Sequence, residues 1–475
     1  MLAEGCYPYV AGGVSSWVQM LVSGMPEHEF VIFAIGAEEK QRGQYKYALP
    51  ENITAVHEYF LDSYYQEGDP EKRVDIAPET KEAFVNLLVG NPVSWDALFE
   101  EFGRDAAFRA NDFLCSPAFL DIVMAVGDMP RYMHTPFKDV FWTVRSMLLP
   151  MLNLLSCDIP EADIYHSVST GYAGLMASLF RCRTGKPFVL TEHGIYSRER
   201  EEEILKATWV NTFFKQTWID FFAAMCRAAY THADKVISLF HGAQHTQIAL
   251  GAPEEKCVVI PNGIHMARFC GVPPIPEEPH PLAVGAIIRV VPIKDIKTMI
   301  QAFALLKLKR PDARLYIIGP TDESPAYYTE CLELVKSLGC EDIVFTGRAN
   351  VVEWLPRIDV VILTSISEGQ PFVLLEAMAA RRPVLSTNVG SCKEIIEGYD
   401  DPFGPAGIVV PVMNPTRIAE GILAVCRDVG AMRTYAENGH ARVSALYQDK
   451  DFLERYRQVY LEVAAQSRAE RREIG

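Results

Sequence analysis

The sequence contains no long apolar run and no segment with the composition of a secretion signal. Nowhere do about 18 uncharged apolar residues follow one another, as a helix that crosses a bilayer requires. Met1 leads directly into residues 2–6 without the basic and apolar regions of a signal peptide. We therefore expect neither export nor a membrane span, and we predict a cytoplasmic protein.

Positive charge and paired cysteines are also scarce. The 45 Lys and Arg residues are outnumbered by 61 Asp and Glu residues, which leaves a formal net charge of −16. The negative electrostatic field of such a protein disfavours broad binding to nucleic acid or to anionic membranes. An anionic substrate would therefore need locally placed cations. The eleven cysteines include no Cys-x-x-Cys pair, and we interpret them as small buried apolar residues in a reducing compartment.

The pattern of apolar residues predicts an α/β protein. A chain of 475 residues is too long for one ordinary core, so two domains are the simplest arrangement. From about residue 157 onward, short apolar runs alternate with amphipathic stretches, as in parallel sheets covered by helices. The predicted strands are 164–165, 188–190, 236–239, 258–260, 282–285, 315–318, 343–345, 360–363 and 383–385.

Proline content and helical spacing suggest where the domains end. Five prolines fall among residues 270–281 and predict a stiff linker, which separates an N-terminal domain, 1–275, from a C-terminal domain, 276–450. Apolar residues at helical spacing predict a last helix over 451–475. Long aromatic-rich helical patterns over about 60–157 predict a helical insertion in the first domain.

A glycine pair near the start is a candidate anion site. Gly12 and Gly13 precede an apolar helix in which Ser16 and Gln19 have capping-box spacing. Glycines at a helix N-terminus let a phosphate approach the backbone amides. An ordinary strand-to-helix turn would use the same residues, and the pattern is not the Gly-x-Gly-x-x-Gly of dinucleotide dehydrogenases.

Two cations follow a predicted strand of the second domain. Arg289 ends the apolar run that starts at residue 282, and Lys294 follows five residues later, before an apolar helix. Open α/β sheets bind ligands beyond the carboxyl ends of their strands, where these charges could neutralise a diphosphate. The alternative is a pair of solvated surface charges.

The strongest local feature is the segment 367–380, which follows the predicted strand 360–363. Pro371 suits the first turn of a helix, so the neighbouring amides are free to face a phosphate. Glu368 lies in the loop and Glu376 lies within the apolar helix. Because a carboxylate is costly to bury without a partner, Glu376 is a candidate for contact with a ligand hydroxyl.

Together these motifs resemble glycosyltransferase family 4, a large retaining family with the GT-B fold. The matching segments also include 261–264, 345–348 and 388–390, and the resemblance covers the chain apart from the 60–157 insertion. It implies two Rossmann-like domains that face each other across a cleft, with the C-terminal helix crossing back to the N-terminal domain. Within the family, residues 7–17, 170–174 and 191–196 look most like the branch that acts in synthesis of the Pel exopolysaccharide.

The resemblance implies a role for each motif. Arg289 and Lys294 would hold the donor diphosphate, and Glu376 would bind the ribose hydroxyls. Glu368 and the backbone of Gln370, Pro371, Phe372 and Val373 would meet the donor sugar. Arg348 would lie beside the base, and Gly12 and Gly13 would approach the phosphate and the acceptor.

The donor-site histidine of the family has no direct match here. Family members often carry it at the position of Val168, so His166 and His193 are competing candidates. A lone histidine is more often structural, and our preference between the two is His166 as a catalytic residue.

The implied reaction is a front-face, retaining transfer from a UDP-sugar, with UDP-glucose favoured, to a growing polysaccharide or other glycosyl acceptor. The departing UDP helps to deprotonate the acceptor, so we expect neither a metal nor a cofactor. The resemblance also implies an inner-membrane partner complex. Two alternatives remain: a sugar-nucleotide epimerase of the same fold, and a non-catalytic UDP-sugar-binding subunit of a polysaccharide synthase.

Overall fold

The computed structural model of the protein describes residues 1–63, 69, 72–102 and 108–474, and its chain divides into two compact units. The first unit comprises Met1–Ser238, Gln244–Val259 and the chain from Tyr456 onward. The second comprises Leu239–Ala243 and Ile260–Arg455. Residues 64–68, 70, 71 and 103–107 of the predicted insertion, and Gly475 of the predicted last helix, lie outside the described residues.

The first unit is built on a parallel sheet of seven described strands with the order β3-β2-β1-β4-β5-β6-β7. The strands are β1 (Leu2–Glu4), β2 (Phe30–Gly36), β3 (Ile53–Phe60), β4 (Tyr165–Ser167), β5 (Phe188–Glu192), β6 (Lys235–Ser238) and β7 (Cys257–Val259). The strand order reverses between β1 and β4, which pair in parallel. In open α/β sheets the carboxyl ends of the strands at such a reversal form the usual ligand site.

Helices cover this sheet and also form the insertion. The helices up to residue 249 are α1 (Gly13–Ser23), α2 (Pro78–Val89), α3 (Trp95–Glu101), α4 (Ala110–Leu114), α5 (Pro117–Gly127), α6 (Phe137–Leu155), α7 (Gly171–Thr184), α8 (Tyr196–Lys206), α9 (Lys215–His232) and α10 (His241–Ala249). Helices α2 to α6 all lie between β3 and β4, within the range of the predicted helical insertion. Their apolar faces share one core with the sheet.

The second unit contains a parallel sheet of six described strands with the order β10-β9-β8-β11-β12-β13. The strands are β8 (Ala283–Ile287), β9 (Arg314–Ile318), β10 (Ile343–Gly347), β11 (Val360–Leu363), β12 (Val384–Thr387) and β13 (Gly407–Val410). The helices are α11 (Ile296–Lys307), α12 (Pro325–Ser337), α13 (Val351–Trp354), α14 (Phe372–Ala379), α15 (Cys392–Glu397), α16 (Pro415–Val425), α17 (Val429–Leu446) and α18 (Asp449–Ile474). The strand order reverses between β8 and β11, and two Rossmann-like parallel sheets confirm the predicted α/β class.

The predicted boundary at residue 275 differs from the division into compact units, because the second unit already includes the chain from Ile260. Val272 and Ile275 are buried in the second core, so the proline-rich segment is packed rather than a free linker. The Arg382 guanidinium donates to the Pro273 carbonyl at 2.8 Å, and Arg433 donates to the Ile275 carbonyl at 2.9 Å. The prolines prevent regular pairing, but they do not prevent burial.

Helix α1 begins earlier than the capping-box spacing predicts. The helix starts at Gly13 with Gly12 as its N-cap, and no side chain caps it. Ser16 therefore lies inside the helix, and Gln19 instead accepts a hydrogen bond from the Tyr7 hydroxyl at 2.8 Å. The first-turn amides of α1 are left without a capping side chain.

Helix α18 is the predicted C-terminal helix, and from Tyr456 onward it belongs to the first unit. Its buried residues Tyr456 and Tyr460 pack against the sheet residues His166 and Thr191. Among the described helices, none combines the length and the apolar composition needed to span a bilayer.

Candidate functional site

A largely buried ion pair lies at the strand reversal of the second sheet. Lys294 ends the short 3-10 helix that follows β8, and Glu368 lies in the loop after β11. The Lys294 ammonium is 2.5 Å from Oε1 of Glu368, and the two side chains are only 16% and 11% exposed. Because β8 and β11 are adjacent parallel strands, their carboxyl ends bring these residues together. The pair therefore occupies the place where open α/β sheets bind ligands.

The backbone of the β11 loop is fixed by the segment after β12. The Ser391 amide donates to the Gly369 carbonyl at 2.9 Å. Gly390 has a φ of +51°, and a Cβ there would lie 2.2 Å from the Glu368 carbonyl oxygen. A side chain at residue 390 would thus displace the loop that carries Glu368.

The Glu368 carboxylate uses one oxygen for its protein contacts. Oε1 accepts from the Ser365 hydroxyl at 2.5 Å as well as from Lys294. Within the described parts of the chain, Oε2 has no hydrogen-bond partner, so it is free to accept from a ligand hydroxyl. Ser391, which sequence reasoning missed, buries its hydroxyl nearby without a partner among the described residues.

The other two predicted cations lie apart from this ion pair. Arg289 contacts Glu323 at 2.6 Å, and Arg348 lies 3.6 Å from Asp322. Both arginines are exposed and follow the ends of β8 and β10, so they flank the same edge of the sheet. Exposed pairs of this kind contribute about 0–1 kcal/mol, so an anion could displace either acidic partner at little cost.

The start of α14 has no capping side chain at its N-cap residue, which is Pro371 and precedes the first turn. The side chain of Gln370 is committed to the fold, because its Oε1 accepts from the Asn262 amide at 2.5 Å in a buried contact. Phe372 and Val373, which form the first turn, are partly exposed. Their amides therefore remain candidates for contact with an anion.

Glu376 lies one turn into α14 and is partly buried. Burial raises the pKa of its carboxyl above the usual range, and the nearby Arg268 partly opposes that shift. Among the residues that the structure describes, no donor forms a hydrogen bond with this carboxylate. A partly exposed carboxylate without a protein donor can accept from a ligand, so Glu376 remains a candidate for contact with a ligand hydroxyl.

The glycine pair of the first unit is open to solvent. A Cβ added to Gly12 or Gly13 would meet no described atom within 4 Å, so local packing does not require glycine there. The Gly12 amide is 3.4 Å from the Tyr47 hydroxyl. The pair follows β1, one of the two strands at the reversal of the first sheet, and a ligand could approach its backbone closely.

The two candidate histidines, His166 and His193, have different surroundings. Nδ1 of His166 is 2.7 Å from the Tyr460 hydroxyl, and its Nε2 is 2.8 Å from the Thr191 hydroxyl. Both ring nitrogens of His166 are thus occupied by contacts inside the core. His193 follows β5, and its buried Nε2 has no partner among the described residues. His193 is therefore the better candidate for a ligand contact.

Burial keeps both histidines neutral at physiological pH. It lowers the pKa of His166 well below its usual value and lowers the pKa of His193 to about 3. The Trp17 ring packs against His193 edge to face, with centroids 4.7 Å apart. A neutral His193 can orient a hydroxyl, but it cannot donate a proton as an imidazolium.

Sequence reasoning also missed two acidic residues at the strand ends of the first sheet. Glu192, the last residue of β5, accepts four hydrogen bonds, including one from Tyr230 at 2.7 Å. Glu4, the last residue of β1, accepts from the Tyr196 hydroxyl at 2.8 Å and from the Ala173 amide at 3.2 Å. An acidic residue that directly ends an apolar strand is the signal that could have found them. They fix the starts of α7 and α8.

Comparison with known proteins finds relatives that match part of the chain. N-acetyl-alpha-D-glucosaminyl L-malate synthase of Bacillus anthracis is 31% identical over 173 residues, which are 36% of this chain and 43% of that protein. The MMP alpha-(1->4)-mannosyltransferase of Mycolicibacterium hassiacum is 23% identical over 294 residues, which are 60% and 67% of the two proteins. The chain thus spans less than half the length of the first relative.

Solved structures match nearly the whole chain. Anabaena Alr3699/HepE in complex with UDP has a TM-score of 0.61 at 16% identity, over 97% of this chain and 99% of that one. Its complex with UDP-glucose has a TM-score of 0.58 at 15% identity, over 97% and 100%. At these identities the likeness concerns the fold alone, and it confirms the predicted GT-B fold.

Two family descriptions match separate parts of the chain. Residues 1–255, more than half of the chain, match the domain of unknown function DUF3492. Residues 278–428 match glycosyl transferases group 1, and they contain the Lys294–Glu368 pair. The chain therefore belongs to the DUF3492 family and carries a group 1 glycosyl transferase domain in its second unit.

Proposed function

We propose that the protein is a retaining hexosyltransferase that uses a UDP-sugar, with UDP-glucose favoured. The observation that carries the proposal is the buried Lys294–Glu368 pair at the strand reversal of the second sheet. A cation and a carboxylate side by side suit a sugar diphosphate, because one can meet the phosphates and the other a sugar hydroxyl. The group 1 domain and the UDP-glucose complex of HepE support the same choice.

The positions of the side chains in the second unit support a set of proposed donor contacts. Lys294 and Arg289 would face the diphosphate, and the first-turn amides of α14 would add backbone donors. The free Oε2 of Glu368 would accept from the sugar. Glu376, which lacks a partner among the described residues, would accept from the ribose hydroxyls, and Arg348 would lie beside the base.

The acceptor would bind at the carboxyl edge of the first sheet. There Gly12 and Gly13 leave room for a close approach, and His193 offers a neutral ring nitrogen. Neither buried histidine has the pKa of a general base that works near neutral pH. The departing diphosphate would therefore take the acceptor proton in a front-face transfer. The protein would position the reactants and stabilise the charge that develops on the leaving group.

Lys294 and Arg289 would supply the positive charge that a metal ion supplies in other transferases, so we propose a metal-independent reaction. We also propose a role in synthesis of a Pel-like exopolysaccharide, because residues 7–17, 170–174 and 191–196 resemble PelF, the Pel glycosyltransferase. That role places the protein in the cytoplasm, with partners at the inner membrane and a growing polysaccharide as acceptor.

Calorimetric titration with UDP, ADP, GDP and a panel of UDP-sugars tests the donor. We expect UDP to bind more tightly than ADP or GDP, and UDP-glucose to give turnover with a glycan acceptor. Binding of ADP in preference to UDP would contradict the proposal.

Analysis of the products that form from each UDP-sugar distinguishes the transferase from the epimerase and from the non-catalytic subunit. An epimerised nucleotide sugar formed without acceptor would identify an epimerase. Tight binding of UDP-glucose without any turnover on a range of acceptors would identify a non-catalytic subunit. Either result would overturn the transferase assignment while leaving the UDP site in place.

A further inference from the structure

Three side chains of metal-ligand type converge in the first unit, and none of them belongs to the candidate site described above. Asp96 lies on α3, Cys182 lies near the end of α7, and His232 is the last residue of α9. Their ligand atoms all lie within 4.8 Å of one another. Because α7 starts beyond the carboxyl end of β4 and α9 leads into the start of β6, the cluster lies toward the amino-terminal edge of the sheet.

The distances between the ligand atoms fit an ion with tetrahedral coordination. Oδ1 of Asp96 is 3.4 Å from Nε2 of His232 and 3.6 Å from Sγ of Cys182. Zinc bonds of about 2.0–2.3 Å to nitrogen, oxygen and sulfur, at tetrahedral angles, hold such atoms about 3.3–3.6 Å apart. Two of the three edges of the triangle therefore already have the length that zinc imposes.

The histidine is held in the orientation that a metal ligand needs. Nδ1 of His232 donates to the Ala228 carbonyl at 2.8 Å, which leaves Nε2 to face Asp96 and Cys182. A metal-binding histidine usually fixes its ring by donating the other nitrogen in this way. His232 is 15% exposed and Asp96 is 76% exposed, so an ion could enter from solvent.

Neighbouring bonds hold the helices together around the cluster. Nε of Arg183 donates to the Phe99 carbonyl at 3.1 Å, which ties α7 to α3. Nε of Arg181 lies 3.1 Å from Asp234, which ties α7 to the chain just after α9. The ligands are therefore arranged before any ion binds, which reduces the entropy lost on binding.

We propose that Asp96, Cys182 and His232 form a binding site for a thiophilic divalent cation of the zinc class. The cysteine thiol loses its proton to solvent when it binds, and water completes the coordination. The site joins three helices of the first unit and is independent of the proposed sugar-transfer site. We expect a bound ion to stabilise the first unit without taking part in transfer.

Cobalt titration of the full chain tests the site, because Co²⁺ takes the place of zinc and reports a thiolate bond by a charge-transfer band. We expect one equivalent of Co²⁺ to produce the band in the wild type. Cys115→Ser is the matched control, since Cys115 is also an exposed free cysteine of the first unit. We expect the control to keep the band and Cys182→Ser to lose it.

A second variant covers the case in which Cys182→Ser disturbs the fold. Asp96→Ala removes a largely exposed side chain, and we expect it to weaken Co²⁺ binding by at least about tenfold with an unchanged circular dichroism spectrum. The absence of a band in the wild type, or a band that survives in Cys182→Ser, would overturn the proposal. UDP binding is measured in the same samples, so the outcome is distinct from that for the transferase.

Discussion

At the scale of single residues, Lys294 is the most informative position. Its ammonium pairs with Glu368 in a largely buried contact, and the proposed donor would add phosphate oxygens to its partners. Charge-assisted hydrogen bonds contribute about 1.5–3 kcal/mol, so we expect Lys294→Ala to weaken UDP binding about 10- to 100-fold. Lys336→Ala, at an exposed lysine of α12, is the control for lost charge. Equal affinities for UDP in a calorimetric titration would contradict the proposed site.

Replacement of Glu376 should stabilise the ligand-free protein and weaken its binding of UDP. Its pKa is raised by burial, so the folded state holds this proton more tightly than the unfolded state does. The protonated Glu376 carboxyl contributes its full stability below the pKa of the unfolded state. That contribution is lost as the pH rises through the higher pKa of the folded state. At pH 7 we therefore expect Glu376→Gln to raise the Tm of the ligand-free protein and to weaken UDP binding. Thermal scans should show a smaller gain at pH 4; a lower Tm at pH 7 would be inconsistent with the buried charge.

His193 predicts a pH dependence of the opposite sign. Its folded pKa of about 3 lies below the unfolded value, so the unfolded state binds the proton first as pH falls. Stability is therefore lost below about pH 6.5, by up to about 1.4 kcal/mol per pH unit for one such histidine. We expect His193→Gln to flatten the decline between pH 6.5 and pH 5 in urea unfolding. Parallel curves for wild type and variant would show that His193 is not the group responsible.

At the scale of elements, helix α18 supplies the hydrogen-bond partner for one ring nitrogen of His166. The Tyr460 hydroxyl bonds Nδ1 of this buried histidine at 2.7 Å, so the helix supplies a partner from far along the chain. Tyr460→Phe leaves a buried nitrogen without that partner, and we expect it to destabilise the first unit by about 1–3 kcal/mol. Leu461→Ala, at a 63% exposed neighbour, should change stability by less than about 0.5 kcal/mol. Denaturant unfolding of both variants tests the difference.

The elements also show what periodicity can and cannot predict. The apolar runs 188–190, 315–318 and 360–363 correspond to β5, β9 and β11, because buried parallel strands are nearly continuous apolar stretches. The predicted strands do not include β1, β2, β3 or β13, although residues 30–35 are as apolar as the strands that were predicted. His166 could not be assigned from local sequence, because its partner Tyr460 is 294 residues away. The proline-rich segment was misplaced because burial depends on contacts with Arg382 and Arg433.

At the scale of the whole molecule, we predict how removal of metal ions affects the protein. Lys294 and Arg289 supply the positive charge that the proposed reaction needs at the diphosphate. We therefore expect EDTA to leave the transfer rate unchanged, even though it would remove an ion from Asp96, Cys182 and His232. The comparison of rate and thermal stability before and after EDTA treatment tests both statements. Loss of turnover on chelation, with recovery on adding Mg²⁺, would reject the metal-independent reaction.

Both units share the plan of a parallel sheet whose strand order reverses once. That plan follows from alternating apolar and amphipathic segments, and it places candidate residues at strand ends before any contact is known. The contacts themselves, such as the one between Lys294 and Glu368, depend on which strands are neighbours. Strand order is set by long-range packing, so the sequence predicted the two residues separately and did not predict that they form a pair.

Gly390 affects which residues near Glu368 can vary in sequence. Its missing side chain lets two loops touch backbone to backbone, so the position of Glu368 does not depend on the side chains at residues 366 and 367, both of which are exposed. Those two positions are therefore free to vary, in natural divergence or in directed evolution, without moving the carboxylate. Variation in donor preference should accumulate around an unchanging Gly390.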